Sequence, residues 1–444
     1  MKSRITTILN DPLYKALPAA EQDFLKGIAE EYFLSFQDLR ILVTIGVDLA
    51  SWDESPISRI WETPPPAIKG KNRKQWSLKK ISTTWEGLKT KSPVYTARNE
   101  NLLNFSNVSV HTESQPEKKG ENISDMGFVS ESGLKMDIPE DDTTLMGRCP
   151  VASEKTRCCN LHTLDAVINC GYDCSYCTIT PFYHGESIHF HKGLKEKLNK
   201  LVLDPHETYH VGTGQSSDSL MWGNKFGVLT ELFNFARKNS NVILELKTKS
   251  ANVSYLCENP PGRNVIATWS LNTPTIIKNE ERGTASLPER IGAARKAADK
   301  GILVGFHFHP MVRYAGWQED YREVFKLLLD TFSADEIVLI SFGTLTYIKP
   351  VLKTIRSRGG KTKILQMPLE EIGGKYSYPY ELKKELFQLA YESLTPWHEK
   401  IFFYLCMEDP DLWKPVFGYE YKDNEEFEKA MKHAYLNKIY NIYS

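Results

Sequence analysis

From about residue 163 onward the chain alternates between strand-like and helix-like patterns, and this limits its fold more than any other feature. Runs rich in apolar and β-branched residues lie at 164–169, 209–213, 242–248, 265–271, 303–309 and 337–342. Helical periodicity falls between and after them, near 191–201, 225–239, 287–300, 319–332 and 347–357. Strands alternating with helices imply a parallel sheet with right-handed crossovers. The helix near 287 carries its own punctuation, with Ser286 as N-cap, Pro288 in the first turn and Gly301 beyond the end. Six such units are too few to close an eight-unit barrel. The expected fold is therefore α/β, a partial (β/α)6 barrel over 146–360 with additions on both sides.

The preceding 145 residues divide in two. A helical unit is expected over 1–62. Its first helix places Phe24, Leu25, Ile28, Ala29 and Phe33 on one stripe, and Ser35 with Asp38 forms a capping-box pattern for the second. Two tightly joined helices suit either a helix-turn-helix or a cap on the main domain. The second helix is mostly apolar and poor in side chains suited to base edges, which favours the cap. Residues 63–145 then read as a basic segment and a flexible acidic linker. Lys69, Lys71, Arg73, Lys74, Lys79, Lys80, Lys89, Lys91 and Arg98 are interleaved with Trp76, Trp85 and Tyr95. Such a mixture suits phosphate contact with base stacking, or a solvated face anchored by its aromatics. Residues 361–444 form a mixed C-terminal extension, helical near 380–394 and 424–440.

Composition removes other classes. The chain has 444 residues, is 41% hydrophobic and 25% charged, and carries a net charge of −1, so it is neither disordered nor a polycation. Apolar runs such as 401–407 fall far short of the roughly 20 residues of a membrane span. Residues Met1 to Ile5 lead into no apolar signal region, so a cytoplasmic, membrane-free setting is expected.

Six of the eight cysteines fall between 149 and 177. Clustered cysteines in a reducing compartment more often bind metal or do chemistry than form disulfides. Cys170, Cys174 and Cys177 have the spacing C-x3-C-x2-C and follow the first candidate strand, at the end where barrel sites are built. Three thiolates can each hold one iron of a 4Fe–4S cluster and leave the fourth iron open. Zinc is the alternative, although a structural zinc normally takes four protein ligands. Cys149, Cys158 and Cys159 suit a second metal, a redox pair or passive thiols. Lys247 and Lys249 share one face of their strand, and Ser270 and Asn272 share one face of the next, as a ligand-filled interior requires. His307 and His309 likewise share a face, as substrate contacts or proton donors, or as a packed pair.

The cysteine spacing resembles that of the radical S-adenosylmethionine (SAM) enzymes. The segments 268–272, 277–284, 287–291 and 316–321, with Ser217-Asp218, are similar to the spore photoproduct lyase family, over roughly 160–380. The resemblance implies a 4Fe–4S cluster on Cys170, Cys174 and Cys177, with SAM contacts at Thr178, Ser217, Lys249 and Ser270. It implies reductive cleavage of SAM to a 5′-deoxyadenosyl radical and hydrogen abstraction from a thymine-dimer lesion in DNA. A low-potential electron donor of the flavodoxin or ferredoxin type is implied as partner. Catalytic roles are carried to Tyr176, which the family keeps, and to position 215, where the family has a hydrogen-donating cysteine and this chain has Gln215. The tyrosine that follows the third cluster cysteine in the family is replaced by Thr178. Gly373-Gly374-Lys375-Tyr376 resembles a family segment near a lesion-binding hairpin. The expected function is lesion repair as a carbon–carbon lyase. The alternatives are radical SAM chemistry on another nucleic acid, peptide or metabolite, and a metal-dependent DNA-binding module.

Overall fold

The computed structural model describes residues 7–95, 128–129, 135–138, 144–149, 155–180 and 187–441. The expected acidic linker lies largely outside these residues. The chain forms two compact units. One gathers the described residues up to Tyr95 with Arg313–Ala315 and Thr346–Pro379, and the other gathers the remainder.

The first unit is built on helices Ala19–Glu31, Phe36–Trp52 and Lys71–Thr90. The second starts where Ser35 and Asp38 exchange side-chain and backbone hydrogen bonds, the expected capping box. Its buried Asp48 accepts two bonds from Arg356, at 2.8 and 3.1 Å. The basic segment forms the third helix, and its charges and rings are largely engaged. Lys74 pairs with Asp38 at 2.9 Å, and the Lys89 ammonium sits 3.1 Å over the Trp85 ring. A small antiparallel sheet completes the unit, with Glu370–Ile372 and Lys375–Ser377 joined by Gly373 (φ 59°) and Gly374 (φ 85°). Two successive left-handed residues suit a two-residue hairpin, and glycine adopts them without strain.

The second unit holds an eight-stranded sheet. Its strands are β1 (Met146–Arg148), β2 (His162–Leu164), β3 (Tyr209–Thr213), β4 (Val242–Thr248), β5 (Val265–Ser270), β6 (Val304–Met311), β7 (Ile337–Thr344) and β8 (Phe402–Leu405). They lie side by side in chain order, all parallel from β2 to β8, with β1 antiparallel to β2. Helix α1 (Val228–Lys238) crosses from β3 to β4, α2 (Leu287–Asp299) from β5 to β6, and α3 (Trp317–Thr331) from β6 to β7. The Ser286 capping box and the left-handed Gly301 (φ 75°) bound α2 as expected. The central strands are buried on both faces, as crossover helices demand.

Two details differ from the sequence reading. The run at 164–169 is not one strand. The chain leaves the sheet after Leu164, and Val167–Ile168 pairs with Ile188–Phe190 elsewhere. A seventh parallel strand, β8, extends the six expected, so part of the C-terminal extension belongs to the half-barrel. The final helix α4 (Asn424–Asn441) packs between the ends of the sheet. Its Tyr435 ring meets His210 of β3 at 5.3 Å and Phe402 of β8 at 5.9 Å, and Glu428 accepts from Asn160 at 2.8 Å.

Candidate functional site

At the C-terminal ends of β2 to β5 the chain gathers the residues singled out above. After β2 it passes through Asn169, whose φ is 66°, into Cys170. The short strand Asp173–Cys174 then pairs antiparallel with Glu281–Arg282, setting Cys174 opposite Glu281. The clamp is dense. Ser175 N donates to Glu280 O at 2.8 Å, the Ser175 hydroxyl donates to the Glu280 carboxylate, and Arg282 Nε meets Asp173 Oδ2 at 2.8 Å. The 277–284 segment therefore holds the cysteine loop in place. Sequence reading did not assign it that task.

Tyr176 is buried and its hydroxyl donates to Glu281. The same carboxylate meets Arg290 at 2.6 Å and lies 3.9 Å from the Lys249 ammonium, which sits 5.7 Å over the Tyr176 ring. Burial alone would raise Glu281's pKa, but Arg290 and Lys249 hold it below the ordinary value. The guanidinium of Arg290 also donates to Ser270 O at 2.8 Å, Ala285 O at 2.8 Å and Thr284 Oγ1 at 2.7 Å. Tyr176, Lys249 and Ser270 are thus joined through Glu281 and Arg290.

The loop after β3 is drawn to the same place. Gly214 has φ 85°, and a Cβ there would lie 2.6 Å from Lys247 O. The tight turn folds back so that Asp218 accepts from Thr248 Oγ1 (2.6 Å), Lys249 N (2.6 Å), Leu220 N (3.0 Å) and Met221 N (2.9 Å). Ser217 is buried and its Oγ accepts from Trp222 Nε1 at 3.3 Å. Gln215 and Thr178 are half-buried, in the loop after β3 and directly after Cys177. Asn272 has a different task from the one its strand face suggested. It is fully buried, donating to Pro310 O at 2.8 Å and accepting from Tyr321 Oη at 2.7 Å.

Cys174 is buried, Cys170 and Cys177 are half-buried, and none is in a disulfide. Burial, then the Asp218 charge, pushes the Cys170 thiol up to about 12. Among the described residues no three His, Cys, Asp or Glu side chains surround one point as a single metal ion requires. Three thiolates on one clamped loop, each serving a separate iron, fit a 4Fe–4S cluster with one iron left for an exogenous ligand. A second thiol group was only half legible. Cys406, directly after β8, joins Cys149, Cys158 and Cys159. A hydrogen bond that the Cys159 thiol donates to Cys158, burial, and the nearby Cys406 and Cys149 raise the Cys159 thiol well above its ordinary value.

Comparison with known proteins bears on residues 204–394, which match the model of the family described as spore photoproduct lyase. The spore photoproduct lyase of Clostridium acetobutylicum is 27% identical over 184 residues, covering 40% of this chain and 54% of that protein. The one from Bacillus subtilis (strain 168) is 31% identical over 148 residues, covering 33% and 42%. The chain thus spans about half, or less, of the length of these curated relatives. A solved structure of spore photoproduct lyase complexed with dinucleoside spore photoproduct superposes with a TM-score of 0.48 at 22% identity, covering 55% of this chain and 75% of that one. The cysteine loop precedes the matched range, which holds β3 to β7 and with them Ser217, Lys249 and Ser270. Over that range the chain is similar to the spore photoproduct lyases, and the cysteine loop that precedes it has the spacing of the radical SAM enzymes.

Proposed function

We propose that this chain is a radical SAM enzyme of the spore photoproduct lyase type, repairing thymine-dimer lesions of the spore photoproduct kind in DNA. One observation carries the reading: a clamped three-cysteine loop beside Lys249 and Ser270 at the C-terminal end of a parallel sheet. In this reading Cys170, Cys174 and Cys177 hold the 4Fe–4S cluster, and Thr178, Ser217, Lys249 and Ser270 hold SAM. When bound, the cluster and SAM together supply a carbon-centred radical able to take a hydrogen atom from the substrate.

The chain's own residues bind, orient and exclude water. Lys249 presents a cation whose backbone N–H is fixed by Asp218. Arg290 and Glu281 lock Tyr176 behind it. The lesion must be turned out of the base stack to reach this depth, and disrupted pairing lowers that cost. A low-potential flavodoxin- or ferredoxin-type donor and a cytoplasmic setting belong to the same proposal. Cysteines that are all free thiols support the reducing, cytoplasmic setting. Among the described residues, no helix is long and apolar enough to cross a membrane.

Gln215 favours a second reading, the same radical chemistry on another substrate, because an amide offers no abstractable S–H. The test is anaerobic incubation of reconstituted protein with SAM, dithionite and dinucleotide spore photoproduct. Expected are about four irons per chain, lost on Cys174→Ala, and slow lesion reversal that Gln215→Cys makes cleaner. SAM cleavage without lesion reversal in either protein leaves only the second reading, and zinc without iron removes both.

A further inference from the structure

Inside the half-barrel lies a buried hydrogen-bonded chain that the proposed chemistry does not use. Glu245 of β4 is buried among three donors: His210 Nε2 at 2.7 Å, His307 Nε2 at 2.6 Å and Thr268 Oγ1 at 2.7 Å. Burial opposes its charge, but His307 and His210 hold its pKa well below the ordinary carboxylate value, so it stays ionised. Burial and then Lys247 keep His307 neutral, with its pKa lowered to about 4.

The direction of every bond then follows. An ionised carboxylate only accepts, so the His307 hydrogen is on Nε2 and its Nδ1 is bare. That Nδ1 lies 2.6 Å from Ser341 Oγ and must accept the serine hydrogen. Ser341 Oγ, having donated, accepts from His309 Nε2 at 2.9 Å. His309 is thereby fixed with its hydrogen on Nε2 and a bare lone pair on Nδ1. Burial and the charges of Lys247 and Lys249 disfavour its protonated form and outweigh the opposing charge of Glu245.

The Nε2 edge of His309 faces β7, where a Cβ on Gly343 would meet Cδ2 at 3.2 Å and Nε2 at 3.6 Å. The Nδ1 edge therefore points away from β7. His309 is half-buried, and its Nδ1 is not among the sealed, unpartnered polar atoms of the described residues. Lys247 lies on the same inward face of β4 as Glu245, with no ion pair among the described residues. A bare acceptor near a cationic donor does not suit phosphate or carboxylate, which bring only acceptors to Nδ1. It suits a cyclic imide, which offers an N–H flanked by carbonyl oxygens.

We propose that His309 Nδ1 accepts the N3–H of a thymine ring in the lesion while Lys247 donates to an adjacent carbonyl, with Glu245, His307 and Ser341 as the positioning residues that fix the His309 tautomer. This rests on the lesion reading above and names the groups that would recognise the base.

The test is anaerobic binding, without reductant, of dinucleoside spore photoproduct and its N3-methylated analogues to reconstituted protein with SAM. N3-methylation should weaken binding to the wild type about tenfold or more, the size of one good hydrogen bond. His309→Ala should bind both forms alike, at the weaker level. In ¹⁵N-histidine spectra the wild type should show His309 protonated on Nε2 only. Ser341→Ala should scramble that signature and Ser341→Thr should restore it, which a merely structural role would not do. Equal wild-type binding of methylated and unmethylated lesion overturns the inference and leaves the lesion reading standing. Failure to bind either form overturns both. A wild-type His309 carrying its hydrogen on Nδ1 overturns the positioning chain.

Discussion

The pair Glu281–Arg290 gives the sharpest test of how the site is held. Both side chains are fully buried, 2.6 Å apart, and each has further partners. Glu281→Gln keeps the shape and removes the charge, leaving the Arg290 guanidinium without its counter-ion. A buried pair broken on one side costs about 3–5 kcal/mol, and the weakened bond from Tyr176 adds about 1 kcal/mol. Arg290→Met should cost less, near the lower end of that range, because the Lys249 ammonium 3.9 Å away still balances part of the Glu281 charge. The double variant should be more stable than the sum of the singles predicts, by about 2–3 kcal/mol, since no lone charge remains. The assay is urea unfolding of the metal-free protein, following the transition of the sheet unit. If Glu281→Gln falls within about 1 kcal/mol of wild type, or if the two costs simply add, the network does not carry the charge balance described here.

Two further outcomes follow from local geometry. Gly214→Ala places a Cβ 2.6 Å from Lys247 O at φ 85°, so thermal unfolding should show a loss on the order of 2–3 kcal/mol; a variant as stable as wild type would disprove the tight turn. Hydrogen bonds from Arg295 hold Glu336 at about 2, against partial burial. A depressed carboxylate stabilises the fold above its unfolded pKa of about 4.3 and loses that contribution as pH falls towards 2. Glu336→Gln should therefore lower the stability measured by urea unfolding at pH 7, by on the order of 1 kcal/mol after screening, and by much less at pH 2. An equal loss at both values refutes the ionic account.

How much of this was legible in the sequence depended on the range of the interactions involved. Strands 209–213 and 242–248 stood out because both faces are buried and their apolar runs are unbroken. His162–Leu164 was missed because a short, half-polar segment carries no period, while the run after it contains Asp165, where the chain leaves the sheet. Phe402–Leu405 was missed as a strand because no regular strand–helix spacing leads to it. The three cysteines were legible from spacing, and Lys249 with Ser270 from alternation along their strands. The Glu280–Arg282 clamp was not, because it pairs residues more than a hundred positions apart whose only local signal is two adjacent acids. Cys406 joins the other thiols only once the sheet has formed, and no pattern in the sequence foretells that.

Asp48 and Arg356 are 308 positions apart, in one unit. At ribosomal speeds of about 5–20 residues per second, the guanidinium emerges about 15–60 s after its carboxylate. During that interval Asp48 must stay protonated, hydrated or unburied, because a lone buried carboxylate is too costly to keep. The helices made first therefore cannot settle into their final packing until most of the half-barrel strands have been synthesised. The helix that carries Asp48 thus reaches its native state only after a segment made 308 positions later. A fragment ending before 346 should present those helices loosely packed, with Asp48 titrating as an ordinary carboxylate.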